Sequence, residues 1–383
     1  MTDTVQQLKQ ERQQMFEDLY HGRIPKRVPI TIKVNNDFGI QYAGLDLVEA
    51  QWHPEKMEEA AEAICRDFFA DRNPFGSRRF PAFYTFTKST YFKMGSNGFL
   101  QHPEIAPMKV EEYPEFIDNP YDYLIEKLIP RLYPALDTDE NNKALTLAIS
   151  IQALTDDRAT ASLIGKKMNE KYGYFEPVNK AAVYAPFDFV ADVMRGFKGI
   201  LTDIKRYPEQ VAEACEAILP LMVKVGTPKK PSVMGDTYVP LHMAPYMREK
   251  DFAKFYWPTF KKMVEAIMAA GQGISFFCEH DWSRYLDYLQ DLPAGVRMRF
   301  EYGDPRLIKE KLGDKHIISG FYPVSMFSSA TQQECLDKAK ELLDILAPGG
   351  NCCFDVDKVM ATYDGGKENY IAVLNLVKEY GRY

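Results

Sequence analysis

Three observations predict an α/β fold, a (β/α)8 TIM barrel. First, six short apolar runs, at 180–187, 231–236, 273–279, 296–302, 316–322 and 351–357, are each followed by a stretch of helical spacing. Such alternation implies a parallel sheet wrapped by helices. Second, the Val/Ile-rich run VPITIKV at 28–34 and one less defined strand in the first half bring the number of strands to eight. Third, carboxylates recur where these runs end, while their bodies are apolar. A doubly wound open sheet is the runner-up, but no GxGxxG follows a strand.

The remaining elements follow in chain order. Residues 1–22 carry Val5, Leu8, Met15 and Leu19 among Gln, Glu and Lys, which predicts an N-terminal surface helix over 4–20. The first strand should end at the polar Asn35-Asn36-Asp37. Residues 47–70 have helical spacing. The stretch 72–120 is rich in Pro, Gly and aromatics without a period, so it reads as an irregular insertion or lid. Helical patterns return at 121–171. One domain over 1–383 accommodates all of this.

Composition narrows the function classes. The 383 residues are 46% hydrophobic with a net charge of −7, enough apolar material for a large core. Neither a basic patch nor a Lys/Arg-rich tail is present, which argues against nucleic acid as the main partner. No apolar run approaches the roughly 20 residues that span a bilayer. The polar N-terminus lacks a signal-peptide core, so the expected location is cytoplasmic. Six scattered cysteines without a CxxC pair read as buried thiols rather than a disulfide framework.

In (β/α)8 barrels the chemistry sits at the C-terminal ends of the strands. That rule selects Asn36, Tyr184, Asp236, the Glu279-His280-Asp281 trio, Glu301, Tyr322 and Asp357, with His242 in a loop above the barrel. Glu279 and Glu301 fall on neighbouring strand ends, where close carboxylates need a cation or a shared proton. A divalent metal, an acid/base pair and a solvated rim all remain open. His316 begins its strand and belongs to the opposite face.

Several stretches resemble the uroporphyrinogen decarboxylase-like superfamily. GRIPKRVPI looks like its entry into the first strand, and FCEHD stands where many members carry a His-x-Cys-Gly-Asp-like motif. FEYGDPRLIKEKLGDKHIISGFYP, ATQQECLDKAKELLDILAPGGN and KENYIAVLNLVKEYGRY follow in the superfamily's order. True decarboxylases of this group bind a polycarboxylate through an Arg-rich segment after the first strand. Here that segment, IKVNNDFGIQYAG, has no Arg. The resemblance therefore points to the corrinoid-dependent methyltransferase branch, which moves a methyl group from a small donor to cobalt on a partner corrinoid protein.

Thiol-specific members hold zinc through His and Cys. Phe277, Glu279 and Asp357 stand near those places, which resembles the methyltransferases that demethylate aromatic methyl ethers. The resemblance implies zinc held by Glu279, Glu301 and Asp357, with Cys353 as an alternative third ligand. Asp236 or His242 would orient the substrate, with Asn36 in the binding site and Tyr184 and Tyr322 flanking the ring. A corrinoid protein is the expected partner, and a homodimer is compatible. A metal-independent decarboxylase or lyase is the alternative enzyme. A scaffold that binds the partner without turnover is the third reading.

Overall fold

The computed structural model describes residues 3–76 and 80–383. It is a mixed α/β fold around a five-stranded parallel sheet. The strands are β1 (Val34–Asn35), β2 (Phe75–Gly76), β3 (Lys93–Met94), β4 (Leu100–Gln101), β5 (Lys180–Ala182), β6 (Asp236–Leu241), β7 (Ile274–Asp281), β8 (Arg297–Tyr302) and β9 (Ile317–Gly320). The main sheet runs β5-β6-β7-β8-β9, every pair parallel. Residues alternate across it. Ile274, Phe276 and Cys278 of β7 are buried beneath the helix Trp257–Ala269, while Ser275, Phe277 and Glu279 face the other way. β8 and β9 approach so closely that a Cβ on Gly320 would collide with the Phe300 carbonyl, at φ +100°.

The expected eight-stranded closed sheet is not what the ladders form. The 28–34 and 351–357 runs are joined to the rest by single parallel bridges: Ile30 to Phe354, Val34 to Met360, Ile318 to Cys352 and Tyr322 to Val356. On the other side Arg72 bridges to Phe175, and β1 pairs with β2. Local chemistry explains the missing ladder. Pro29 has no N–H to donate. In the last run, Asp355 accepts from the Val356 N–H and Asp357 from those of Val324 and Lys358. Such side-chain bonds compete with sheet pairing.

Helices with strong end signals follow the apolar runs, as the alternation predicts. Pro opens Pro208–Gly226 and Pro305–Leu312, and a Thr331/Glu334 capping box opens Gln332–Leu346. The N-terminal helix, Asp3–Tyr20, packs Phe16 and Tyr20 against Phe175. Beyond β2, the 72–120 stretch holds a helix at Pro81–Thr87, the β3–β4 hairpin and a helix at Tyr113–Asp118; positions 77–79 lie outside the described residues. Among the described residues, no helix is long and apolar enough to cross a membrane.

Candidate active site

The C-terminal edge of the main sheet gathers the charged groups. β7 ends in a register shift against β8 between Cys278 and Asp281, with His280 at φ +58°. A bulge of this kind re-aims side chains at a strand's end. The buried Trp282 indole donates to the Glu279 carbonyl at 3.0 Å and fixes the bend. The Glu279 carboxylate then meets His242, the residue after β6, at 2.7 Å from Nδ1.

Two aspartates surround that pair. Asp188, in the short helix Pro186–Phe189, is fully buried. It accepts the backbone N–H groups of His242 (3.2 Å) and Met243 (3.0 Å) and the Tyr256 hydroxyl (2.7 Å), so it holds the His242 loop in place. Asp192 sits one turn further, in a π-helical segment. Burial, and then the Asp188 charge, push its carboxyl up to about 7. Burial pulls the His242 imidazole down. The Glu279 hydrogen bond and the charges of Asp188 and Asp192 outweigh this and carry it up to about 9. His242 is therefore an imidazolium at neutral pH. Glu279 is held below the usual carboxylate range, because the His242 bond and charge overcome its burial.

Replacing Glu279 by Gln removes a charged acceptor from the imidazolium. The His242 titration midpoint is expected to fall from about 9 toward the ordinary histidine range near 6.5. An NMR titration of the imidazole reads this directly. A midpoint that stays put would assign the shift to the aspartates alone.

Aromatic groups wall the mouth. Tyr184 lies 6.3 Å from the His242 ring, and its hydroxyl meets that of Tyr91 at 2.7 Å. Tyr91 and Phe92 pack on His102, which burial and then the His242 charge push below its ordinary value. Tyr91, Phe92 and His102, within the 72–120 stretch, thus lie against the mouth.

Glu301 and Asp357 stand beside this cluster but are engaged elsewhere. Glu301 accepts the His280 N–H at 2.8 Å and faces Lys358 Nζ at 3.3 Å. Asp357 caps the N–H groups of Val324 and Lys358. Glu279, Glu301 and Asp357 therefore do not form a common donor set. Among the described residues, no three His, Cys, Asp or Glu side chains are placed to hold a metal ion. The residues do not fit the expected zinc. Cys353 is no substitute: it is buried with Phe16, Tyr20 and Ile317 at the opposite end of the sheet.

Three other expectations are corrected by position. Asp236 opens β6 rather than closing a strand, so it sits at the sheet's N-terminal end. There it binds Arg72 at 2.9 Å and Ser275 at 2.6 Å. Tyr322 points into the core, its ring tilted against those of Phe327 and Phe354, and its hydroxyl donates to the Cys335 carbonyl. Asn36 is buried at the start of the helix Asn36–Tyr42 and lines a separate cavity of about 270 Å³ with Trp52, Phe75 and Asp157. His316 is buried at the start of β9, as expected. Asp188, just past the 180–187 run, and Asp192 were given no role from the sequence. Two aspartates four apart in the apolar stretch PFDFVADVM were the signal.

Fold and site together define an α/β protein with a charged histidine and three carboxylates at the mouth of a parallel sheet. No sequence-family model and no curated protein sequence matches the chain. In three dimensions it is similar to a solved structure described as a methyltransferase from Methanosarcina mazei, with TM-score 0.64 and 15% identity. The match covers 97% of this chain and 98% of that one. At this identity the likeness establishes the fold.

Proposed function

We propose that this chain is a methyltransferase that takes a methyl group from a small aromatic methyl ether and passes it to the cobalt of a corrinoid carried by a partner protein. The observation that carries this reading is the His242 imidazolium, held by Glu279 at 2.7 Å beside the Tyr184 ring. The fold shared with a methyltransferase supports it, as do the bridges that continue the five-stranded sheet on both sides. We read those bridges as the remaining staves of an irregular (β/α)8 barrel, with 72–120 as its lid.

Breaking an aryl ether leaves the bonding electron pair on oxygen, and phenolate is a mediocre leaving group. His242 donates a proton to that oxygen as the bond to the methyl carbon breaks, so a neutral phenol departs. Glu279 orients the ring nitrogen and stabilises the imidazolium beforehand, and Asp188 fixes the loop that presents it. Tyr184 flanks the ring. The corrinoid, bound to its own protein, supplies the two-electron nucleophile for the methyl carbon.

The test is release of free phenol from methoxy-aromatics in the presence of reduced corrinoid, with a protein-free control. No phenol above the control from any methoxy-aromatic would sink the reading. Because the three expected ligands are engaged elsewhere, dialysis against a strong chelator is expected to leave turnover within about twofold. Loss of activity, restored by added zinc, would instead return a metal to the mechanism. A metal-independent decarboxylase or lyase is the second reading, favoured by Asp192 being poised near neutrality beside His242. Carbon dioxide release from aromatic acids without corrinoid would select it.

A further inference from the structure

The long helix Glu140–Tyr172 turns one face toward the cavity beside Asn36. Asp157, Thr160, Ala161, Ile164, Gly165 and Met168 recur at helical spacing and line it together. Trp52, Met57, Phe75 and Pro81 supply apolar walls from other elements. The space is about 270 Å³, at the small end of ligand pockets, which run from roughly 300 Å³ upward. Trp52 is half exposed, so the cavity has a way to solvent.

Two residues on that helix face are wrong for packing alone. Gly165 weakens the middle of a helix relative to Ala. A Cβ built on it meets no atom within 4 Å, so space that a side chain could fill is left open. Asp157 is the single charged residue lining the cavity among the described residues. Its carboxylate makes no hydrogen bond and no ion pair among them, and its Oδ2 is shut off from water. Asp156 beside it adds negative charge and accepts from Gln152 at 2.8 Å. Arg158, on its other side, lies over the Phe80 ring instead, 5.7 Å from the centroid. Burial, and then the Asp156 charge, push the Asp157 carboxyl above its ordinary value. A shielded carboxylate with no counter-charge is costly, and Leu or Ala at 157 would serve an apolar face without that cost.

A guest that brings a positive charge and fills apolar space answers both features. A bare metal ion does not: no three His, Cys, Asp or Glu side chains are placed to hold one among the described residues. An organic anion would be repelled by both aspartates. We propose that this cavity is a binding site for a small organic amine, one ring or a short aliphatic body carrying a single ammonium group, with Asp157 as its counter-charge. The ammonium donates to the Asp157 carboxylate, and Trp52 and Phe75 offer ring surface to the apolar body. The cavity shares no lining residue with the His242 cluster, so the site stands or falls apart from the methyl-transfer reading.

The experiment is calorimetric titration of the full chain with 2-phenylethylamine and with its neutral counterpart, 2-phenylethanol, at neutral pH. The wild type is expected to bind the amine about tenfold or more tightly than the alcohol. Asp157→Asn keeps the shape and removes the charge, so it should abolish that preference while leaving alcohol affinity within about twofold. Gly165→Leu should fill the space and weaken both ligands about tenfold or more. Circular dichroism checks that the variants keep the fold, and Asp157→Asn decides the matter if Gly165→Leu does not. Equal binding of amine and alcohol by the wild type overturns the proposal, as does failure to bind either into the millimolar range. A preference that survives in Asp157→Asn, or a loss there that weakens both ligands alike, overturns the role of the carboxylate. A folded Gly165→Leu that binds the amine as tightly as the wild type would put the amine elsewhere on the chain and overturn the site.

Discussion

Asp71→Ala is expected to destabilise the fold by about 3–5 kcal/mol, the range for stripping one partner from a buried charge network. Asp71 has no exposed surface. Its carboxylate takes two bonds from Arg27, at 2.6 and 2.7 Å, one from Arg12 at 3.2 Å and one from the Ile30 N–H at 2.8 Å. Arg12 belongs to the N-terminal helix and also donates to the Tyr172 carbonyl at the end of the helix Glu140–Tyr172. The Asp71 backbone meanwhile donates to Ile30 and accepts from Phe175. One residue therefore ties together the first run, the segment before β2, and two helices. Alanine would leave two buried guanidinium groups without their counter-charge and the Ile30 amide without its acceptor. Cation–π contacts of both arginines with Phe69, at 5.4 and 5.3 Å, are too weak to compensate. Urea unfolding followed by circular dichroism measures the loss. A shift under about 1 kcal/mol would show that water reaches the network.

What the sequence revealed depended on whether one residue type decided the matter locally. β7 was legible almost to its ends, because SFFCE alternates between helix-packed and open positions and then breaks into charge. Glu279 and Glu301 lie in the last residues of β7 and β8, and His242 follows the end of β6. β6 was misplaced by a few residues, and Pro240 is the cause. A proline inside DTYVPL makes a strand look like a loop, so the apolar PSVMGD before it was taken instead. That error carried Asp236 to the wrong end of the sheet. Tyr322 was misassigned because Phe321 adopts φ +66° just past β9, which no pattern of residue types announces. The engagement of Glu301 and Asp357 was equally hidden. It depends on Lys358, His280 and backbone amides that only the fold brings near.

His242→Gln is expected to lower turnover by about 100-fold or more, the range for deleting a positioned general acid, with substrate KM changed only a few-fold. Gln keeps a hydrogen bond to Glu279 but cannot deliver a proton to the leaving oxygen. A pH profile separates this from mere loss of shape. His242 is raised to about 9, so its acid form is present at neutral pH and is lost as pH rises through about 9. Wild-type turnover should therefore fall on the alkaline side near that value. In Glu279→Gln the fall should come at lower pH, because the imidazolium has lost its closest counter-charge. In His242→Gln the limb should disappear and the residual rate should be flat across it. A substrate with a better leaving group, such as a nitro-substituted methoxy-aromatic, needs less protonation and should recover part of the lost rate in the Gln variant. If that substrate is slowed as severely as the unactivated one, His242 holds the site together rather than supplying the proton. The imidazolium would then serve to place Glu279 and Asp188, and the acid for the leaving phenol would have to be sought in Asp192, whose carboxyl burial carries up to about 7.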